Sequence, residues 1–321
     1  MGDFLYKAKS AIIGHAVGDA LGVPVEFEDR EVLDKNPVTD MREYGTYNMP
    51  KGSWSDDTSM SLCALETLTN DKINFNAVMS NFVRWYRKGE FTPTGVVFDI
   101  GGTCVYAINN YFLERKSWRD CGRSDDYSNG NGSLMRIHPF VLYTYALNAD
   151  VKTQIELIEL ASSLTHAHER SKKACGIYAF ILWELLSEPT KNSVAAGLEK
   201  AKNFYAGSPE ITYYQRLFGF ADSGKTETIG RESIKSDGYV VSTFEAAVWC
   251  LLTTASYKEC VLKAVNLGDD TDTVAAIAGG LAGALYGYDS IPEEWRQSLL
   301  KREYIEKLCE KAFGKDKNNR G

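Results

Sequence analysis

The chain has 321 residues, 44% hydrophobic and 25% charged, ordinary globular proportions that exclude a largely disordered chain. With 36 Lys and Arg against 43 Asp and Glu the net charge is −7, which argues against broad nucleic-acid binding, because that needs clustered cations to displace counterions. No uninterrupted apolar run of about 18 residues is present to span a bilayer, MGDFLYKAKS does not read as a signal peptide, and seven irregularly spaced cysteines without a CxxC motif read as reduced thiols in a cytoplasmic protein.

In chain order, helical spacing or strong helix formers cover 4–21, 58–68, 75–86, 95–112, 134–147, 155–164, 171–186, 194–205, 243–255, 258–265, 274–286 and 303–313. Strand signals are few and no β/α alternation occurs, so the expected fold is all-α. The polar stretch 220–237 reads as a long loop, and 315–321 as a frayed tail. The first helix carries Ser10, Gly14, Gly18 and Gly22 at steps of four, and the last long one Ala275, Gly279, Gly283 and Gly287. Each interior glycine costs up to about 1 kcal/mol against alanine. Repeating that cost implies smooth ridges that let helices approach closely. If the two ridges share a core, 1–314 is a single domain despite its length.

Two clusters carry acidic chemistry. Ser55-Asp56-Asp57-Thr58 and Asp269-Asp270-Thr271-Asp272-Thr273 each stand at an expected helix start. A helix start accepts Ser, Thr or Asp as a cap and is favoured by negative charge. One cap needs one side chain, however, and three aspartates within four residues repel one another. A hard divalent cation removes that repulsion, and oxygen donors without nearby His or Cys select Mg²⁺ or Mn²⁺ over zinc. Taken together the clusters read as a metal site, expected to meet in space, with oxygens enough for two ions.

Four further segments stand out. In 128–136, Ser-Asn-Gly-Asn-Gly-Ser-Leu-Met-Arg, small residues lead straight into an apolar helix: a phosphate cradle of bare NH groups at the helix start, or an ordinary Asn-Gly turn plus cap. His166, in Thr165-His166-Ala167-His168, is a ligand contact or a hydrogen-bonded structural histidine. Asp99 precedes Gly101-Gly102 in an apolar stretch and either faces the metals or caps a turn. Asp19, on an otherwise apolar helix, needs a polar partner, and Glu26 follows the helix end on a loop stiffened by Pro24, where it is a general base or a solvated carboxylate. A prenyl-diphosphate enzyme would also use aspartates, but its DDxxD pattern is missing, since Thr58, Ser59 and Met60 follow Asp56-Asp57.

The segments GHAVGDALGVPVEF (14–27), WSDDTSMSL (54–62), DIGGT (99–103), NGNGSLMR (129–136), THAHERS (165–171), GYVVSTFEAAVW (238–249) and LGDDTDTVAAIAGGLAGALYG (267–287) resemble, in order and over nearly the whole chain, the ADP-ribosylglycohydrolases. That group includes the dinitrogenase-reductase-activating glycohydrolases and the ADP-ribosylarginine hydrolases. The resemblance implies a single compact all-α domain with a dinuclear Mg²⁺ or Mn²⁺ cleft. Ser55, Asp56 and Asp57 would ligate from one side, and Asp270, Asp272 and Thr273 from the other. Asp269 stands where many relatives have glycine. Glu26, Asp57 and Asp99 would be the catalytic carboxylates. Ser128, Gly130, Asn131, Gly132 and Ser133 would hold pyrophosphate and ribose, His166 would contact the ligand, and Tyr239, with Tyr127 beside it, would stack on adenine. The implied activity is hydrolysis of the bond between ADP-ribose and a modified side chain, arginine first, with serine-linked and O-acyl substrates or a non-catalytic binding role as alternatives. The implied partners are an ADP-ribosylated protein or small molecule and the product ADP-ribose, with no nucleic acid or membrane, for a cytoplasmic monomer.

Overall fold

A computed structural model describes residues 3–68, 72–147, 149–222 and 226–314. These form α1 (Asp3–Gly22), α2 (Arg30–Lys35), α3 (Asp56–Leu65), α4 (Phe75–Lys88), α5 (Gly102–Phe112), α6 (His138–Ala146), α7 (Val151–Ser163), α8 (Glu169–Ser187), α9 (Lys191–Phe204), α10 (Gln215–Gly219), α11 (Val240–Leu252), α12 (Tyr257–Val265), α13 (Thr271–Tyr286), α14 (Glu293–Ser298) and α15 (Arg302–Phe313). Among the described residues no strand occurs, only isolated bridges. The expected tail, 315–321, lies outside the described residues.

The two glycine ridges meet. A Cβ on Gly18 would fall 2.1 Å from the Ala275 carbonyl oxygen, and one on Gly14 2.4 Å from that of Gly279. Only glycine permits this approach. The pairing runs antiparallel: Ser10 lies by Gly283 and Gly22 by Asp272. Tyr257 Oη donates to the Gly14 carbonyl at 2.7 Å and Thr271 Oγ1 to that of Gly22 at 2.9 Å. Around this pair pack α3, α6, α12 and α15 on the α1 side and α8, α11 and α12 on the α13 side. The antiparallel crossing places the end of α1 beside the start of α13.

Several boundaries differ from the sequence pattern. The expected helix over 95–112 begins only at Gly102, because Gly95 (φ +86°) and Asp99 (φ +48°) take left-handed backbone. Thr92 Oγ1 accepts from Gly95 N at 2.9 Å and fixes the turn. The expected helix over 134–147 begins at His138, with Pro139 in its first turn. A helix through Pro139 would lose one backbone bond and clash at Met135. The loop at 128–133 therefore does not run straight into a helix, and the cradle of NH groups at a helix start is corrected to a series of turns. Helix α3 starts at Asp56 rather than 58 and ends at Leu65. The stretch 220–237 holds short 3-10 turns at Thr226–Thr228 and Arg231–Ser233. The short helices α2, α10 and α14, of 6, 5 and 6 residues, carry too few periods to be read from pattern.

Candidate active site

Three helix ends converge. At the start of α3, Ser55 Oγ accepts from Asp57 N at 3.3 Å as an N-cap. Asp19, fully buried on α1, accepts from Ser55 N at 2.8 Å and from Thr58 N and Oγ1 at 3.0 and 2.6 Å. It is a second cap supplied by another helix, and it answers the need of a carboxylate on an apolar helix. At the start of α13, Asp272 Oδ1 accepts from Thr273 N at 2.8 Å. The two clusters touch: Thr273 Oγ1 donates to Asp57 Oδ2 at 3.3 Å, and Ser55 Oγ to the same oxygen at 3.2 Å. Glu26, just beyond the short 3-10 turn that ends α1, has carboxylate oxygens within 4.8 Å of those of Asp270 and Asp272. Asp269 is exposed and stands outside the cluster, with left-handed backbone (φ +59°).

Burial and mutual repulsion raise the whole cluster. Asp56, Asp57 and Asp272 are held well above the ordinary carboxylate range, first by burial and then by one another's charges. Glu26 is pushed up to about 9, by burial and then by Asp99 and Asp270. The left-handed turn at Asp99 carries its carboxyl to hydrogen-bonding range of Asp56 and Tyr47. Four buried oxygens, Glu26 Oε2, Asp57 Oδ1, Asp270 Oδ1 and Asp272 Oδ2, have no hydrogen-bond partner. Unpartnered carboxylate oxygens that also repel one another fit hard divalent cations.

Above the cluster opens a cleft of about 260 Å³. Its floor includes Glu26, Asp56, Asp99, Asp270 and Thr273, and its walls include Gly130, Asn131, Gly132 and His166. Asn131 Nδ2 donates to Asp270 Oδ2 at 2.6 Å and to Thr243 Oγ1 at 3.0 Å, tying the loop to the acidic floor. A Cβ on Gly132 would lie 2.9 Å from His166 Cε1, so the ring needs that glycine. Ser128 and Ser133 turn inward instead. Ser128 Oγ donates to Asp125 Oδ2 at 2.7 Å, and Ser133 Oγ lies within hydrogen-bond distance of Ser162 Oγ, at 2.9 Å. Tyr239 is half-buried beside Gly130, with the Arg170 guanidinium 6.0 Å from its ring. Tyr127 is 99% exposed. Sequence reasoning missed Tyr47, whose hydroxyl is near the Glu26 and Asp99 carboxyls, and Phe27, an exposed ring at the cleft. Phe27 stands beside Glu26 and at φ +65° takes a backbone no motif announces; Tyr47 sits in a turn between motifs.

The fold and the site define an all-α protein with a carboxylate-floored cleft suited to divalent cations. The family model for ADP-ribosylglycohydrolase matches residues 2–321, and the chain belongs to that family. It is 34% identical over 310 residues, 96% of this chain and 79% of the other, to "ADP-ribosylarginine hydrolase Tri1" of Serratia proteamaculans. It is 30% identical over 306 residues, 91% of this chain and 90% of the other, to "ADP-ribosyl-[dinitrogen reductase] glycohydrolase" of Rhodospirillum rubrum. A solved "ADP-ribosylglycohydrolase-related protein complex" matches with a TM-score of 0.80 at 29% identity, over 98% of this chain and 99% of that one. No helix among the described residues is long and apolar enough to cross a membrane.

Proposed function

We propose that the protein is a divalent-metal-dependent hydrolase that removes ADP-ribose from modified arginine side chains. The observation that carries the reading is the meeting of two aspartate-rich helix starts at the floor of a cleft, with four buried carboxylate oxygens unpartnered. The preference for arginine is supported by the name of a relative 34% identical to this chain.

In this reading Ser55, Asp56, Asp57, Asp270, Asp272 and Thr273 hold two Mg²⁺ or Mn²⁺ ions, which when bound supply positive charge against the cluster and orient the ribose hydroxyls. Glu26, whose second oxygen has no hydrogen-bond partner, would take the proton of the attacking water once bound cations offset the neighbouring carboxylates that raise it. Tyr47 presents its hydroxyl to the Glu26 and Asp99 carboxyls. Asp57 and Asp99 keep the floor negative, which favours oxocarbenium character as the glycosidic bond breaks. Gly130, Asn131 and Gly132 receive the pyrophosphate and distal ribose, His166 adds a polar contact, and Tyr239 offers a face for adenine. Ser128 and Ser133 support this loop from behind, through the hydrogen bonds above. Seven free and buried cysteines suit a reducing compartment, and we place the protein in the cytoplasm as a monomer.

The test is release of ADP-ribose from arginine-, serine- and acetyl-linked substrates with Mg²⁺, Mn²⁺ or EDTA. Release from the arginine linkage, lost with EDTA and in Asp270→Ala, is expected. Release from another linkage alone would move the substrate. Binding of ADP-ribose without release from any linkage would overturn the enzymatic reading.

A further inference from the structure

We propose that Arg136 and Thr165 are positioning residues that hold the His166 ring as its Nε2–H tautomer, so that it offers a hydrogen-bond donor to a ligand at the Gly130–Gly132 loop. The ligand half of this statement rests on the reading of the cleft given above; the tautomer half does not.

Thr165 is fully buried, and its Oγ1 lies 2.9 Å from His166 Nδ1 and 2.8 Å from Arg136 Nη2. A hydroxyl has one hydrogen and two lone pairs. Arg136 can only donate, so it occupies one lone pair. Among the described residues the imidazole Nδ1 is the one acceptor within hydrogen-bond distance of this hydroxyl, so the hydroxyl hydrogen goes there. A neutral ring that accepts at Nδ1 carries its hydrogen on Nε2. Burial, and then the Arg136 charge, push His166 down to about 3 and keep it neutral.

The aim of the ring is fixed as well. His166 N donates to the Ser162 carbonyl at 2.9 Å, and Ser162 Oγ donates to the His166 carbonyl at 3.0 Å. His166 Nε2 lies 3.6 and 3.5 Å from the Cβ positions of Gly130 and Gly132, at the cleft wall. Arg136 is fully buried; among the described residues its Nη2 donates to the Ala161 carbonyl and to Thr165, its Nε and Nη1 have no hydrogen-bond partner, and its guanidinium lies 5.0 Å from the centre of the Phe82 ring. A buried guanidinium so poorly satisfied is costly to stability. Its bond to Thr165 gives that cost a use at the cleft.

The experiment is two-bond ¹H–¹⁵N correlation on ligand-free protein labelled at histidine ring nitrogens, with ADP-ribose binding by calorimetry beside it. The chain has four histidines, so His166→Gln assigns the signal directly. The expected spectrum shows a pyridine-like Nδ1 and a pyrrole-like Nε2. In the near-isosteric Thr165→Val the ring becomes a mixture of tautomers and the ADP-ribose Kd rises about tenfold, roughly 1.4 kcal/mol. Thr165→Ser restores both. An Nδ1–H ring in the unaltered protein, or an unchanged ring in Thr165→Val, overturns the relay. The expected tautomer together with no ADP-ribose binding by the unaltered protein supports the relay and overturns the reading of the cleft.

Discussion

The Asp19 carboxylate on α1 accepts both the backbone amide and the hydroxyl of Thr58, at 3.0 and 2.6 Å, from the first turn of α3. Its other oxygen holds Ser55 N at 2.8 Å. The segment between them is Asp56-Asp57, so one buried side chain fixes the frame of half the acidic cluster. Asp19→Asn places an NH₂ against an N–H donor. We expect a loss of about 2–4 kcal/mol in unfolding free energy, from a lost cap and an unsatisfied buried donor. We also expect weaker Mn²⁺ binding by calorimetry. Denaturant curves matching the unaltered protein would show that Asp19 does not hold α3.

The glycine ridges give a sharper contrast. A Cβ on Gly18 meets the Ala275 carbonyl oxygen at 2.1 Å, and its neighbour is backbone that cannot rotate away. Gly18→Ala should therefore cost about 3 kcal/mol or more, or prevent accumulation of folded protein. Gly219, at the end of α10, has nothing within 4 Å of its Cβ position. Gly219→Ala should leave the melting temperature unchanged or raise it, by up to about 1 kcal/mol of stability. Equal effects at the two positions would mean that helix propensity, not the α1–α13 contact, explains the ridge.

The all-α class and the ridge pairing were legible because glycine at steps of four on two apolar helices has few other uses. The acidic clusters were legible because capping explains one carboxylate and not the pair Asp270 and Asp272, although Asp269, counted with them, stands exposed outside the cluster. What escaped was set by backbone detail. The pattern over 95–112 reads as helix, since Val, Phe and Ile suit a helix or a loop alike; the left-handed turn at Asp99 that carries its carboxyl to Asp56 is a tertiary choice. The segment 134–147 is mostly apolar, and Pro139 marks where its helix starts. Ser128 and Ser133 share a loop with Gly130 and Asn131, but alternate residues of a turn face opposite ways, and composition does not say which face the cleft. Tyr47 reaches Glu26 only because the turn at 45–48 folds back on Pro24, a contact without sequence spacing.

The buried histidines give a pH prediction. Burial pushes His15 and His166 down to about 3, and His138, its ring centre 4.1 Å from that of His15, falls well below its ordinary value. Between about 6.5 and 3 the unfolded chain therefore binds more protons at these residues than the folded protein does. Their contribution to stability is complete above about 6.5 and is lost as the pH falls through that window, by up to about 1.4 kcal/mol per pH unit for each ring. In the folded protein the ring resonances of His15 and His166 should not move between pH 7 and pH 5 in an NMR titration. A midpoint near 6.5 for either would show that water reaches it.

Removing charge from the acidic floor should separate stability from function. Asp272 is fully buried, its Oδ2 has no partner, and its neighbours Glu26, Asp57 and Asp270 are all acidic. In metal-free protein, Asp272→Asn relieves a repulsion and replaces an unpaired buried carboxylate with a neutral amide. We expect a gain of about 1–2 kcal/mol in unfolding free energy. Addition of Mn²⁺ or Mg²⁺ at a hundred times its Kd should stabilise the unaltered protein by about 2.7 kcal/mol and Asp272→Asn hardly at all. The two proteins should therefore exchange rank in melting temperature when the ion is added. That crossing distinguishes a site strained for its ligand from an aspartate that only favours the helix dipole, because the latter loses about 0.3–1 kcal/mol on conversion to Asn with or without metal. If Asp272→Asn is the less stable protein under both conditions, the carboxylate serves the helix and not a cation.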